Sequence, residues 1–180
     1  MPGSAGGAWA ADISIGSLMT MMSQVRESRA VFREEKTMAA LNAPLESQGT
    51  LHYVAPAKLE KHTTAPNEEL LAVDGDQLTL AKPAEKMRQT LRLDQQPEIR
   101  AFVESIRGTL AGDLPTLERY YSVGLDGTSD KWRLTLVPLS SRARDYLKVI
   151  RIEGSGPAIR RFESVEAGGD SSSMTIEPAS

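Results

Sequence analysis

Histidine and carboxylate side chains are the groups in this sequence that could bind a metal ion. The two histidines, His52 and His62, lie on strands that are predicted to be neighbours. Glu60 is close to both in sequence, but a zinc site needs further ligands and no other side chain converges there. We therefore predict that both histidines lie on the surface of a sheet.

Three aspartates lie in glycine-containing turns, where they could suggest a calcium site. Asp74, Asp76 and Asp170 lack the D-x-D-x-D-G arrangement and the distal glutamate of a calcium loop. The geometry of tight hairpins explains an Asp-Gly pair equally well. We predict no metal site and no cofactor.

Nucleophilic catalysis has little support in this sequence. Cysteine is absent, which removes thiol nucleophiles and disulfides together. The serines at 171–173 have no histidine near them in sequence, and no G-x-S-x-G, P-loop or dinucleotide-binding motif occurs. We predict no catalytic residues and a protein that is not an enzyme.

Charge and composition exclude two further classes of protein. The net charge is -3 and aromatic residues make up 5% of the chain, so neither a basic face nor a stacking platform for nucleic acid is expected. No apolar run approaches the roughly 18 residues of a membrane span.

The N-terminal residues carry a weak export signal. Residues 1–7 are small and glycine-rich, and Ala8-Trp9-Ala10 matches the small-x-small pattern that precedes signal-peptidase cleavage. We interpret residues 1–10 as a tag or signal-peptide remnant, followed by one domain over residues 11–180. The expected location is the periplasm.

The elements that must position any site are one short helix and a long series of strands. Ile15, Leu18, Met22 and Val25 have helical spacing. From Ser28 onward apolar residues alternate instead, which predicts strands. The first series of predicted strands is Arg29–Leu41, Gly49–Val54, Lys58–Thr64, Glu68–Val73, Gln77–Ala81 and Glu85–Leu93.

Asp74-Gly75 suits a two-residue hairpin turn between two of these strands. A turn at those two residues would place Leu71 opposite Leu78, with Val73 and Leu80 on the same face.

A helix interrupts the strands after the sixth. Pro97 suits its first turn, Gly112 suits its C-terminal cap, and a further helical turn through Glu118 follows. The apolar stripe of the helix comprises Ile99, Phe102, Val103, Ile106 and Leu110. The strands then resume at Tyr121–Leu125, Lys131–Val137, Lys148–Glu153, Ala158–Glu166 and Ser173–Glu177, with a helical turn near Ser141–Tyr146.

The order of these elements, together with two motifs, resembles the LolA family of outer-membrane lipoprotein carriers. The segment from Gly49 to Leu59 resembles the family's G-x-L-x-[aromatic]-x-x-P-x-x-[apolar] strand pair, and Asp74-Gly75-Asp76 resembles the hairpin that follows it. The resemblance extends over roughly Asp12 to Pro178.

The resemblance implies a fold of class α+β. A strongly curved antiparallel sheet would form an unclosed β-barrel, and an N-terminal helix and an inserted helical lid would cover its concave apolar face. It also implies a monomeric periplasmic carrier that takes an acylated cargo, a lipoprotein or a (glyco)lipid, from an inner-membrane transporter to an outer-membrane acceptor. The residues expected to line its lipid-binding cavity are Leu51, Tyr53, Leu59, Leu71, Leu80, Leu91, Phe102, Val103, Ile106, Trp132, Leu134, Leu136, Ile150 and Phe162.

Two departures from the family pattern leave the cargo open. Lipoprotein carriers have an arginine before the proline of the second strand, which latches the lid, and Ala55 occupies that position here. The chain also ends soon after the strand Ser173–Glu177. A half-barrel module that binds a protein partner in envelope assembly or signalling, without transport, is the alternative.

Basic residues concentrate between Lys131 and Arg161. They form either a solvated strand face or a docking surface for an acidic partner or anionic lipid headgroups. Arg142 and Arg144 are the predicted docking residues.

Overall fold

The computed structural model describes residues 11–179, so the remnant predicted at residues 1–10 lies outside them. Antiparallel strands dominate these residues, and all eleven strands belong to one sheet. In chain order the strands are β1 (Glu27–Thr37), β2 (Leu45–Val54), β3 (Lys58–Ala65), β4 (Glu69–Asp74), β5 (Gln77–Lys82), β6 (Met87–Arg92), β7 (Tyr121–Thr128), β8 (Lys131–Pro138), β9 (Leu147–Ser155), β10 (Ala158–Glu166) and β11 (Ser171–Pro178).

Four α-helices accompany the sheet: α1 (Ile15–Ser23), α2 (Pro97–Ala111), α3 (Leu114–Tyr120) and α4 (Ser141–Arg144). The Ser14 hydroxyl caps α1 by accepting a hydrogen bond from the Ser17 amide. Helix α2 ends at Gly112, whose φ of +66° is the left-handed conformation that glycine adopts at little cost. Within the described residues, no helix has the length and apolar content needed to cross a membrane.

The strand order is β6-β5-β4-β3-β2-β1-β11-β10-β9-β8-β7. The first strand therefore lies at the centre, paired with the last, while β6 and β7 form the two edges. Helices α2 and α3 lie between these edge strands in the chain and connect one edge to the other. The predicted fold class, an unclosed barrel with an N-terminal helix and a helical insertion after the sixth strand, is confirmed.

The predicted register of one hairpin is wrong. Leu71 pairs with Leu80, and Val73 pairs with Leu78. The reason is that Gly75, at a φ of +59°, and Asp76 form the turn, while Asp74 still pairs with Gln77. The shift moves each partner by two positions, so every side chain keeps its predicted face.

Helices α1, α2 and α3 pack on one face of the sheet, the inner face, where the buried apolar side chains form two clusters. The second cluster, at the β4–β6 end, consists of Val73, Leu78, Leu93 and Val103. The first cluster, at the β7–β11 end, consists of Leu18, Met19, Met22, Phe32, Ala101, Leu117, Tyr121, Trp132, Leu134, Leu136, Ile150, Ile152, Phe162, Met174 and Ile176.

Candidate functional site

The strand register places every predicted cavity residue of the first six strands on the inner face. Tyr53 pairs with Leu59, and Leu71 pairs with Leu80. Residues directly opposite in an antiparallel ladder share a face, as do residues two apart in one strand. By the same rule Leu51 and Leu91 join them.

The predicted strand residues of the second half lie on the same inner face. Leu134 pairs with Ile152 and Leu136 with Ile150, and Ile152 pairs in turn with Phe162. Trp132 is two residues from Leu134. All the predicted strand positions therefore share one surface, and their contact with lipid stays a prediction.

Helix α2 lies where the two clusters meet. Its Val103 belongs to the second cluster and its Ala101 to the first, while Ile106 packs against the first as a partly buried residue. Phe102 is 37% exposed, yet its ring meets that of Phe162 edge to face, with the centroids 5.6 Å apart. The helix thus contacts both halves of the inner face at once.

An arginine of α2 anchors this helix to the turns of the sheet. Arg107 is only 8% exposed, and its Nη1 donates to the carbonyl oxygens of Ala57, at 3.1 Å, and Gly75, at 2.6 Å. Its Nε donates to the Glu104 carboxylate, 2.6 Å away. These contacts satisfy a buried charge and fix α2 to the β2–β3 and β4–β5 turns.

A buried tyrosine hydroxyl lies on the inner face without a hydrogen-bond partner. Tyr53 is 2% exposed, and its Oη makes no hydrogen bond in the described part of the chain. Burial raises the pKa of this phenol, and the positive charges of Arg26 and Arg107 partly oppose that shift. The phenol is therefore neutral and available to donate to an acceptor.

A group of polar side chains lies among the apolar ones of the inner face at one end of the β1–β11 pair. Glu34 accepts hydrogen bonds from Lys61 Nζ, at 2.9 Å, and Ser172 Oγ, at 2.7 Å, and Lys61 Nζ lies 5.2 Å from the ring centroid of Phe32. Burial alone would raise the pKa of the Glu34 carboxyl, but Lys61 and Ser172 hold that pKa below its ordinary value of 4.5.

The lowered pKa of Glu34 predicts a stability that depends on pH. Because its pKa is lower in the folded chain than in the unfolded chain, the carboxylate stabilises the fold above the ordinary pKa. That contribution is lost as the pH falls through the folded pKa. We expect the free energy of unfolding, measured by urea denaturation from about pH 7 to about pH 3, to fall less steeply in Glu34→Gln. Equal slopes for the two proteins would contradict this.

The histidines and turn aspartates take part in surface pairs. His52 Nε2 lies 2.9 Å from Glu27 Oε1, and His62 Nε2 lies 3.5 Å from Glu68 Oε1. Across residues 11–179, no group of three His, Asp or Glu side chains could hold a metal ion. Asp170 Oδ1 accepts a hydrogen bond from the Ala39 amide, which is a structural role.

Several of the basic residues between 131 and 161 are paired with carboxylates. Arg161 Nε lies 2.9 Å from Glu163, and Arg142 Nε lies 3.0 Å from Glu98. Arg144 donates to the carbonyl oxygen of Leu139 at 3.0 Å. Much of this charge is therefore held in local contacts, and the docking role of Arg142 and Arg144 stays a prediction.

The most buried charged contacts of the site were not predicted from the sequence. Arg107 follows Val103 by four residues and so lies on the apolar side of α2, which is the signal that could have revealed it. Glu34 and Lys61 had no such signal, since 27 residues separate them and only the register of β1, β2 and β3 brings them together.

Comparisons with known proteins find a matching family and several similar solved structures. The family model described as outer membrane lipoprotein carrier protein LolA-like matches residues 6–179. A LolA superfamily protein from Nitrosomonas europaea is 10% identical, with a TM-score of 0.45 and 92% of each chain covered. An outer membrane lipoprotein-sorting protein domain from Vibrio parahaemolyticus is 9% identical, with a TM-score of 0.44, covering 92% of this chain and 91% of that one. A search of curated proteins gives no match.

Proposed function

We propose that this chain, which belongs to the family of LolA-like outer membrane lipoprotein carrier proteins, binds acyl chains between the inner face of its sheet and α2. Membership of the family supports a carrier or sorting module of the cell envelope rather than an enzyme. The cargo in this proposal is a lipoprotein or a (glyco)lipid, carried through the periplasm from an inner-membrane transporter to an outer-membrane acceptor.

The observation that carries the proposal is the two clusters of apolar side chains that the sheet and its helices form on the inner face. Apolar side chains from both halves of the sheet share this face, including Leu71 and Leu80 at one end and Leu134 and Ile150 at the other. Burying a methylene group contributes about 0.8 kcal/mol, so exposing a sixteen-carbon chain to water costs on the order of 10 kcal/mol. A carrier must hide such a chain almost completely, and this face offers the needed surface.

Uptake requires α2 to move away from the sheet. Its side chains pack directly against both clusters, so an entering acyl chain would take the place of Val103, Phe102 and Ile106. The displaced contacts are apolar and are replaced by apolar contacts with the cargo. For these apolar contacts the free energy of exchange is small compared with that of leaving the acyl chain in water. The hydrogen bonds of Arg107 to Ala57 and Gly75 are the polar contacts that oppose the movement of α2.

Two measurements test the proposal. We expect organic extraction of the natively purified protein, followed by mass spectrometry, to yield acylated molecules, and the emptied protein to take up a fluorescent fatty acid. Protein without extractable acyl species and without uptake would contradict the proposal. That outcome would favour a module that binds a protein partner.

A pair of neighbouring variants tests where the acyl chain binds. Leu80 lies on the inner face, and Thr79 points to the opposite face of the same strand. We expect Leu80→Asp to reduce fatty-acid affinity at least about tenfold, because a carboxylate in an apolar site must be desolvated or protonated. Thr79→Asp introduces the same charge and is expected to leave the affinity unchanged. Equal losses in both variants would place binding elsewhere.

A further inference from the structure

A groove of about 530 Å³ lies at the unclosed side of the sheet, where α2 begins. Its walls come from both edges: Leu93 directly follows β6, and Tyr120 directly precedes β7. Leu139 completes the second wall, and its amide donates to the carbonyl oxygen of Tyr120 at 2.9 Å. We call this feature the seam groove.

The floor of the seam groove reaches the apolar interior at the boundary of the two clusters. Leu93 is fully buried and belongs to the second cluster. Ala101, one turn into α2, belongs to the first. A molecule in the groove therefore lies at the boundary between the two apolar clusters under α2. From this boundary an acyl chain could enter the interior.

The rim of the seam groove is basic. Arg100, Arg119 and Arg142 all contribute to its lining. Arg100 Nη1 lies 3.4 Å from Asp76 Oδ1, but the Nε of Arg100 is buried and has no hydrogen-bond partner. Arg119 forms no ion pair within residues 11–179. Each guanidinium presents a planar set of donors that fits a phosphate or carboxylate oxygen.

Two carboxylates, those of Asp94 and Glu98, also line the groove, and both are already paired with arginines. Asp94 lies 3.0 Å from Arg92, and Glu98 lies 3.0 Å from Arg142 across the groove. In the second pair the Arg142 side chain is 74% exposed and the Glu98 side chain 33% exposed, so breaking the pair costs little. An incoming anion can replace Glu98 as the partner of Arg142 and so separate the start of α2 from α4.

We propose that the seam groove binds the anionic headgroup of the acylated cargo, with the acyl chain running from Leu93 and Ala101 into the interior under α2. This inference rests on the proposed carrier function and specifies its substrate class: an amphiphile with a phosphate or carboxylate head. The arginines select the head, and the inner face holds the chain.

The test compares two probes that have the same chain and different heads. Binding of decyl phosphate and decyl glucoside is measured by calorimetry at low salt, below the concentration at which either forms micelles. We expect the phosphate to bind about tenfold more tightly, and this preference to shrink in high salt because exposed charges are screened. The double variant Arg100→Gln/Arg119→Gln is expected to lose the preference while still binding the glucoside.

Control measurements separate the headgroup site from general charge effects. Arg88→Gln removes an exposed positive charge on β6, away from the groove, and is expected to keep the preference. Circular dichroism verifies that each variant is folded. Equal affinity of the unaltered protein for the two probes would overturn the headgroup site and leave the carrier function standing, whereas binding of neither probe would overturn both. A preference for phosphate that survives in the double variant would also overturn the assignment to this groove.

Discussion

Replacement of Arg107 by methionine is expected to lower the free energy of unfolding by about 3 kcal/mol. The guanidinium holds the buried Glu104 carboxylate and donates to the carbonyl oxygens of Ala57 and Gly75. Methionine keeps much of the side-chain volume but leaves a buried negative charge without a partner. Urea denaturation monitored by circular dichroism measures the loss.

Two further variants separate the buried charge from a general effect of losing arginine. Glu104→Gln/Arg107→Met removes the uncompensated carboxylate, and we expect it to be more stable than Arg107→Met alone. Arg92→Met removes an exposed arginine that is paired with Asp94 at the surface, and we expect a loss of less than about 1 kcal/mol. A loss in Arg107→Met no larger than in Arg92→Met would show that the buried contacts contribute little.

The same variant reports on the mobility of α2. Because Arg107 ties the helix to two turns of the sheet, its loss should promote local opening of α2 more than that of the sheet. Hydrogen exchange is expected to accelerate for the amides of α2. For the amides of β8 and β9 it is expected to accelerate only as much as the lower free energy of global unfolding requires. In the lipoprotein carriers that this chain resembles, an arginine of the second strand latches the lid; here Ala55 occupies that position and an arginine of the helix makes the contacts with the sheet.

The second large effect is expected from Gly112→Ala. A Cβ at this position would overlap the carbonyl oxygen of Met19 and would lie 2.8 Å from the amide nitrogen of Ser23. Both neighbouring atoms belong to the backbone of α1, so α1 and α2 would have to move apart. The φ of +66° adds about 1 kcal/mol of backbone strain, and we expect a total loss of about 3 kcal/mol or more, by comparison with other overpacked sites.

Gly75→Ala is the matched control for this prediction. Gly75 has a φ of +59°, but a Cβ there would meet nothing within 4 Å. We expect only the backbone term, about 1 kcal/mol. The difference between the two variants in thermal or urea denaturation therefore measures the cost of forcing the helices apart. Equal losses would mean that the close contact between α1 and α2 relaxes easily.

Much of the fold could be predicted from the sequence because its signals are local. Alternation of apolar residues gives the strands and the face of each side chain, and Pro97 and Gly112 mark the ends of α2. The register of the β4–β5 hairpin depends on whether Asp74 belongs to the turn or pairs with Gln77 as the last residue of β4. The sequence Asp74-Gly75-Asp76 is compatible with both turns, so it does not determine the register. The predicted face of each side chain is still correct, because a shift of two residues returns every side chain to the same face of the sheet.

The polar contacts of the site depend on distant parts of the chain. Arg107 and Glu104, three residues apart, have the spacing of an ordinary surface pair on a helix. Only the docking of α2 against the turns at Ala57 and Gly75 buries them. Likewise, the seam groove is formed by residues after β6, in α2 and beside β7. No single segment of the sequence contains a pattern that predicts it.

The pairing of β1 with β11 has a consequence for the order in which the chain can fold. Ser172 and Glu34, whose side chains are bonded across this pair of strands, are 138 residues apart. Strands β1 to β6 and β7 to β11 form two consecutive series of antiparallel pairs, and the two series are joined in the sheet only when the final strand pairs with the first. Contacts of such long range slow folding. During synthesis from the N-terminus, the edge of β1 that pairs with β11 therefore stays unpaired until almost the whole chain has been made. An unpaired strand edge can pair with other chains, so binding of this edge by a chaperone would be most useful during that interval.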